Sequence, residues 1–329
     1  MTHRFARRTL MVLAAFAAAA CQPHYVPAEN GEDAVGHTRQ ADRWNEEHGA
    51  HLVAWIEGLH GPESARYDAG QDAWFISNMN GYGSDRDGNG YIVQADAGNP
   101  SQSKIFAEGG KNGVALDAPK GMAISGDTLW VADITVLRGF DRKNGRPLAS
   151  IDLAPQGAVL LNDVDVGPDG TIYTTDTGIH MTDKGVIYQG GDKIFAIGAN
   201  RSISLAAQGA SLHRPNGVTW DSSGKRLMVV SFDPFHSQLY AITPGDTTRT
   251  VIGTGIGQFD GVEPMGDGRW LVTSWADSSI HAIGPGGRDD RIIRDLWAPA
   301  DLGIDTKRHR IGVPVGMKDR VEFYQLSTK

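Results

Sequence analysis

The chain has 329 residues, with 31 basic and 39 acidic side chains, a net charge of −8 and 42 glycines. The acidic balance excludes nucleic acid and anionic membrane as electrostatic partners, because both need a basic face. The length suffices for one sizeable core. Its short apolar runs set among glycines indicate a turn-rich, all-β domain rather than two domains.

In chain order, Arg4, Arg7 and Arg8 precede an apolar run over residues 10–20 that ends on small side chains. This is the pattern of a secretory signal, residues 1–20, and no later stretch of about 20 apolar residues could span a bilayer. The single cysteine, Cys21, follows Ala18, Ala19 and Ala20. That arrangement resembles the bacterial lipobox, whose cysteine is lipidated and becomes the mature N-terminus. The alternative is ordinary cleavage that leaves a free thiol, since one cysteine has no internal disulfide partner. Residues 22–50 are polar, contain Pro and Gly, and are expected to form a flexible tether. The lipoprotein reading places the protein at the cell envelope, facing the periplasm, with the lipid as its membrane attachment. By resemblance to enterobacterial sorting, Gln22 after the cysteine favours the outer membrane.

Residues 51–329 are expected to form a six-bladed β-propeller. One unit is written most clearly as RPNGVTWDSSGKRLMVVS over residues 214–231: a turn, an alternating strand, a Ser-Gly turn and a second apolar strand. Aligned on Asn216, the other copies are PESARYD, PKGMAIS, LNDVDVG, FDGVEPM and PADLGID. Their aligned residues are Glu63, Lys120, Asn162, Asp260 and Ala300, and successive anchors lie 57, 42, 54, 44 and 40 residues apart. A strand-turn-strand unit repeating near ~40–45 residues is the signature of propeller blades. Outer strands are expected at 91–96, 138–141, 193–197, 238–242 and 279–283. Residues 51–57 and 320–326 are expected to meet in the last blade, because ring closure removes an exposed edge. Outside the leader, only a turn or two of helix is expected, near residues 38–47. Trp74, Trp130, Trp220 and Trp270 recur at blade positions and are expected to pack between sheets.

The first strand of a propeller blade lines the central channel, so the anchor residues point at one axis. Glu63, Asn162, Asn216 and Asp260 would then converge as two carboxylates and two amides, the oxygen set a hard cation such as Ca²⁺ takes. The alternative is that they satisfy waters or backbone groups without a metal, with Lys120 as an internal counter-ion.

On LNDVDVGPDGTIYTTDTG (161–178), RPNGVTWDSSGKRLMVVS (214–231), FDGV (259–262) and PESARYDAGQDAWFISN (62–78), the chain resembles the senescence-marker-protein/gluconolactonase family of regucalcin-like six-bladed propellers. The resemblance implies Glu63, Asn216 and Asp260 as ligands of a divalent metal. It also implies that Asn162 contacts substrate, with Asp163 beside it, and that Asp260 is the candidate base. Ca²⁺ is the first choice of metal, with Zn²⁺ or Mg²⁺ as alternatives. Departures exist: Ser64-Ala65 stands where the family has Gly-Pro, Leu160 replaces an arginine that grips sugar lactones, and Lys120 is an unexpected charge. Arg214 either supplies a channel cation or faces solvent.

Weaker patterns are read as loops. Residues 85–90 (DRDGNG) resemble an EF-hand start but lack the helices and the late glutamate, so a hairpin turn is expected. The glycines of 253–257 precede Phe259-Asp260 where a phosphate-binding helix would have to begin. There is no G-x-S-x-G, H-E-x-x-H or spaced Cys/His set. His180 and His213, near the third and fourth repeats, are expected as loop or packing residues. The leading functional expectation is a monomeric, metal-dependent hydrolase of small lactones or related esters. The alternative is a non-enzymatic propeller that binds a ligand or a protein.

Overall fold

The structure, a computed structural model, describes residues 24–27, 39–246 and 248–327. The leader and the candidate lipidation site Cys21 lie outside the described residues. Six antiparallel sheets follow one another around an axis. Blade 1 comprises Pro62–Asp68, Ala73–Asn78, Tyr91–Asp96 and Ser103–Glu108, in that order from centre to rim. Blade 2 comprises Pro119–Ser125, Thr128–Asp133, Val136–Asp141 and Pro147–Asp152. Blade 3 comprises Leu161–Val166, Ile172–Asp176, Lys193–Ile197 and Ile203–Gln208. Blade 4 is Pro215–Asp221, Arg226–Ser231, Gln238–Ile242 and Arg249–Thr254. Blade 5 is Phe259–Pro264, Trp270–Ser274, Ser279–Ile283 and Asp289–Arg294.

Blade 6 closes the ring as expected. Gly303–Asp305, Arg310–Val315 and Arg320–Leu326 come from the C-terminal end, and Ala50–Glu57 adds antiparallel to the last of them. Two pieces of the stretch expected as tether have regular structure. His24–Pro27 pairs outside Ala50–Glu57 as a fifth strand. Arg39–Glu47 is an α-helix docked on blade 5, where the Asn45 side chain accepts from Arg294 N at 3.0 Å and the Arg294 guanidinium lies 4.8 Å from the Trp44 ring centre.

The alternation of the strands explains the packing. One apolar cluster sits between each pair of neighbouring blades, for instance Trp74, Ile76 and Phe323 between blades 1 and 6, and Met228, Val230, Phe259 and Val272 between blades 4 and 5. Each fully buried aliphatic or aromatic side chain is worth roughly 1.5–3 kcal/mol, so the ring is held by six separate cores rather than one. The channel at the axis is left to polar groups.

Both the loops joining second to third strands and those leading into the next blade emerge on the face where each first strand begins, here called the mouth. Residues 85–90 belong to such a loop: Asp85 Oδ2 accepts from Tyr82 N at 2.9 Å and Asp87 Oδ2 from Asn89 Nδ2 at 2.7 Å. The sequence did not anticipate a hairpin, Ile179–Thr182 with Gly185–Tyr188, raised from the mouth of blade 3. It rests on the blade 1 loop, where Ser84 N donates to Met181 O at 3.0 Å and Met181 N to Ser84 Oγ at 2.9 Å.

Candidate metal and substrate site

The anchor residues are singled out by a backbone irregularity. In blades 1 to 5 the register of the first strand against the second slips at Pro62/Ser64, Pro119/Met122, Leu161/Val164, Pro215/Val218 and Phe259/Val262. The residues inside these slips are Glu63, Lys120, Asn162, Asn216 and Asp260, each with its successor in blades 2 to 5. A bulge leaves a residue unpaired and re-aims its side chain. The N–H groups it frees are caught by hydroxyls of the second strand: Ser64 N by Ser77 Oγ at 2.9 Å, Asp163 N by Thr175 Oγ1 at 3.0 Å, and Gly261 N by Thr273 Oγ1 at 2.7 Å. Thr175 Oγ1 also donates to Asn216 O at 2.6 Å, fixing the next blade's anchor.

Neighbouring first strands meet closely just after the anchors. A Cβ on Gly217 would lie 2.4 Å from Asp260 O, and one on Gly261 would lie 2.8 Å from Asp301 Cα. Between blades 6 and 1, Asp301 N donates to Glu63 O at 2.9 Å and Ala65 N to Asp301 O at 3.1 Å, while Ser64 Oγ donates to Asp301 Oδ2 at 2.6 Å. These approaches bring together anchors that lie 40 or more residues apart in sequence.

All five anchors are buried, Glu63 being the most exposed at 7%. Glu63 Oε2, Asn162 Oδ1, Asn216 Oδ1 and Asp260 Oδ1 have no hydrogen-bond partner. Buried oxygens without partners are rare because each keeps its full desolvation cost. Burial, then the charge of Asp260, pushes the Glu63 carboxyl well above its ordinary value. Burial, then Asp301, does the same to Asp260. Two carboxylate and two amide oxygens that lack donors fit a hard divalent cation, which would supply the missing partner and relieve the repulsion.

The other candidates are placed differently. The buried ammonium of Lys120 donates to Gly83 O at 2.7 Å and Ala118 O at 2.9 Å, and its charge still lowers the Glu63 carboxyl somewhat. Asp163 is turned between blades, accepting from Val164 N and Val218 N, each at 2.7 Å. Arg214 sits at the rim, its guanidinium 4.5 Å from the Tyr188 ring centre and its Nε 3.8 Å from Asp233 Oδ2. Beside it His213, Asp233 and His236 gather, the two imidazoles stacked with centres 4.5 Å apart.

Three channel residues escaped the sequence reading. Arg66 spans the channel below the anchors to form an ion pair with Glu263, and it lies 3.6 Å from Asp301 Oδ2. Burial raises the Glu263 carboxyl to about 7 despite that pair. Asp301 follows the apolar anchor Ala300 and restores a carboxylate to blade 6. The spacing of Arg66 and Glu263, each three residues after an anchor, was the available signal. The polar ends of second strands also act on the mouth: Asp133 Oδ1 accepts from Ala118 N at 2.9 Å, and Asp176 Oδ1 from Leu160 N at 2.9 Å. Each holds the segment that enters the first strand of its own blade. Leu160 itself is buried with Ala118, Ile134 and Ile179, against Met79 and Met181.

Fold and anchor line together define a six-bladed propeller with a cluster of unpartnered oxygens on its axis. Residues 62–295 match the SMP-30/Gluconolactonase/LRE-like region, and the chain belongs to that family. No curated protein matches in sequence. Among solved structures, a gluconolactonase of Xanthomonas campestris is 15% identical, with a TM-score of 0.62 over 92% of this chain and 97% of that one. A luciferin-regenerating enzyme is 13% identical, with a TM-score of 0.60 over 82% and 92%. A chain of a nidogen/laminin complex is 16% identical, with a TM-score of 0.55 over 75% and 96%. At such identities the likeness is one of fold, and the fold serves more than one function.

Proposed function

We propose that the protein is a metal-dependent hydrolase of small lactones or related esters. The observation that carries this reading is the set of four buried, unpartnered oxygens on Glu63, Asn162, Asn216 and Asp260. Glu63, Asn216 and Asp260 would hold the divalent cation, Ca²⁺ first and Mg²⁺ or Zn²⁺ as alternatives. A bound hard cation supplies Lewis-acid polarisation of a carbonyl. Asn162 orients the substrate beside it. Asp260 takes a proton from the water as its oxygen bonds to the carbonyl carbon, and returns that proton to the leaving alkoxide as the ring or ester C–O bond breaks. Lys120, pinned by two carbonyls, is a fixed positive charge on the blade 2 side. The apolar surroundings of Leu160 offer a sugar's hydroxyls no partners, which favours lactones or esters with apolar substituents. The leader and Cys21 support a periplasm-facing protein anchored to the envelope by lipid.

A non-enzymatic binding propeller is the second reading. It is favoured by the buried Lys120 ammonium, which can serve as counter-ion to Glu63 without any metal. Calorimetric Ca²⁺ binding and turnover of a lactone panel, measured on the wild type, Glu63→Gln and Asp260→Asn, separate the two. The hydrolase reading expects wild-type binding and turnover that both variants lose. Absence of Ca²⁺, Mg²⁺ and Zn²⁺ binding by the wild type rejects it.

A further inference from the structure

We propose that the mouth face of the propeller rests on the lipid bilayer, through an arc of exposed apolar side chains running from blade 3 to blade 6. Among the described residues, every large apolar side chain that is more than half exposed lies on this face: Val186, Ile187, Phe235, Ile256, Trp297 and Met317. The first two belong to the second strand, Gly185–Tyr188, of the blade 3 hairpin, Phe235 and Met317 to loops between second and third strands, and Ile256 and Trp297 to connections between blades. Exposed apolar residues scattered singly over a surface need no explanation, but a one-sided collection marks an interaction site. Neighbouring loops tie the arc together. Gly316 N donates to Ala298 O at 3.2 Å, joining the Met317 and Trp297 loops. A Cβ on Gly257 would lie 3.4 Å from Pro234 O, at the junction of the Ile256 and Phe235 loops.

The course of the chain names the occupant. His24 pairs with Glu57, which leads directly into the mouth connection of blade 6. That connection is fixed there by Leu59 N to Asp319 O at 3.1 Å and Gly61 N to Asp319 Oδ1 at 2.8 Å, beside the Met317 loop. Cys21 precedes His24 by three residues, a reach of about 10 Å even when fully extended. A lipid on Cys21 therefore enters the membrane beside the mouth rim of blade 6, and so short a link brings the apolar arc to the same surface. The net charge of −8 removes any attraction to anionic headgroups, so the surface is a zwitterionic one, entered by apolar side chains as interfacial segments do. Substrate would then reach the channel from the bilayer side. The inference rests on the lipid-anchored reading of Cys21 and not on the hydrolase reading.

The test uses the full lipidated chain reconstituted in phosphatidylethanolamine/phosphatidylcholine vesicles, with acyl chains brominated to quench tryptophan on contact. Flotation reports the anchor, and quenching reports the orientation. Expected is flotation together with quenching that falls at least threefold in Trp297→Phe and in the double variant Ile187→Asp/Phe235→Asp. Thermal melts should show that double variant folded like the wild type, so that lost quenching is not lost structure. Three results overturn the proposal: flotation with emission untouched by bromine, which leaves the mouth facing away; no flotation, which removes the anchor as well; and self-association or protein capture through the arc that abolishes quenching.

Discussion

At the scale of single residues, the anchor carboxyls are a liability unless something positive joins them. Glu63 and Asp260 are held well above their ordinary values, by burial first and by acidic neighbours second. A carboxyl raised in the folded state binds protons more tightly there than in the unfolded chain. Its contribution to stability is therefore fullest below the unfolded value near 4, and it is lost as pH climbs through the raised folded value. Metal-free protein should accordingly lose stability from pH 5 to pH 8. Asp260→Asn, which is neutral at both, should lose less. In chelator at pH 8 the variant is expected to melt several degrees above the wild type, with the order reversed in saturating Ca²⁺. Thermal melts at the two pH values, with and without chelator, measure this. A wild type at least as stable as the variant in chelator at pH 8 would falsify the account of the anchor carboxyls.

At the scale of the element, the bulge and the glycine after it do the positioning. Gly217 and Gly261 follow anchors, and each faces the backbone of the next blade's first strand. Because the opposing atom at Gly217 is the carbonyl oxygen of Asp260, a methyl there cannot be absorbed by a side-chain rotation. Gly217→Ala should cost about 2–3 kcal/mol by overpacking. It should also weaken Ca²⁺ binding at least tenfold by displacing Asp260, whereas Gly266→Ala, at a remote turn, should leave binding alone. Calorimetry on the two variants separates local strain from a general defect. The same geometry explains what the sequence could disclose. The anchors were legible because strand, turn and strand recur around them, and the terminal strands because 51–57 and 320–326 alternate without partners of their own. Arg66, Glu263 and Asp301 were not legible as a group, since nothing in any one repeat says that a cation on blade 1 will meet acids from blades 5 and 6. The blade 3 hairpin was missed because its role lies in the loop it rests on, nearly 100 residues away. The helix at Arg39–Glu47 lies where one or two turns were expected.

At the scale of the whole molecule, six blades meet only at the axis, and the axis is acidic. Glu63, Asp163, Asp165, Asp260, Glu263 and Asp301 surround it, against Arg66 and Lys120. Arg66 is committed to Glu263 and Asp301 below, and Lys120 to two carbonyls at the side. Among the described residues neither cation hydrogen-bonds the four unpartnered oxygens, although the charge of Lys120 still acts on Glu63 from the side. The cores between blades are separate, so a group bound at the axis stabilises the ring as a unit by joining blades 1, 4 and 5. Ligand at a hundredfold excess over its Kd stabilises the folded state by about 2.7 kcal/mol. For a chain of this size that is about 5 °C in melting temperature. The rise should come as a single cooperative shift rather than as a separate transition of one blade. Glu63→Gln/Asp260→Asn should show none of it, although the double variant keeps every inter-blade core intact. Calorimetric scans across a Ca²⁺ titration decide the matter. A Ca²⁺-dependent shift of equal size in the double variant would place the stabilising ion away from the anchor oxygens.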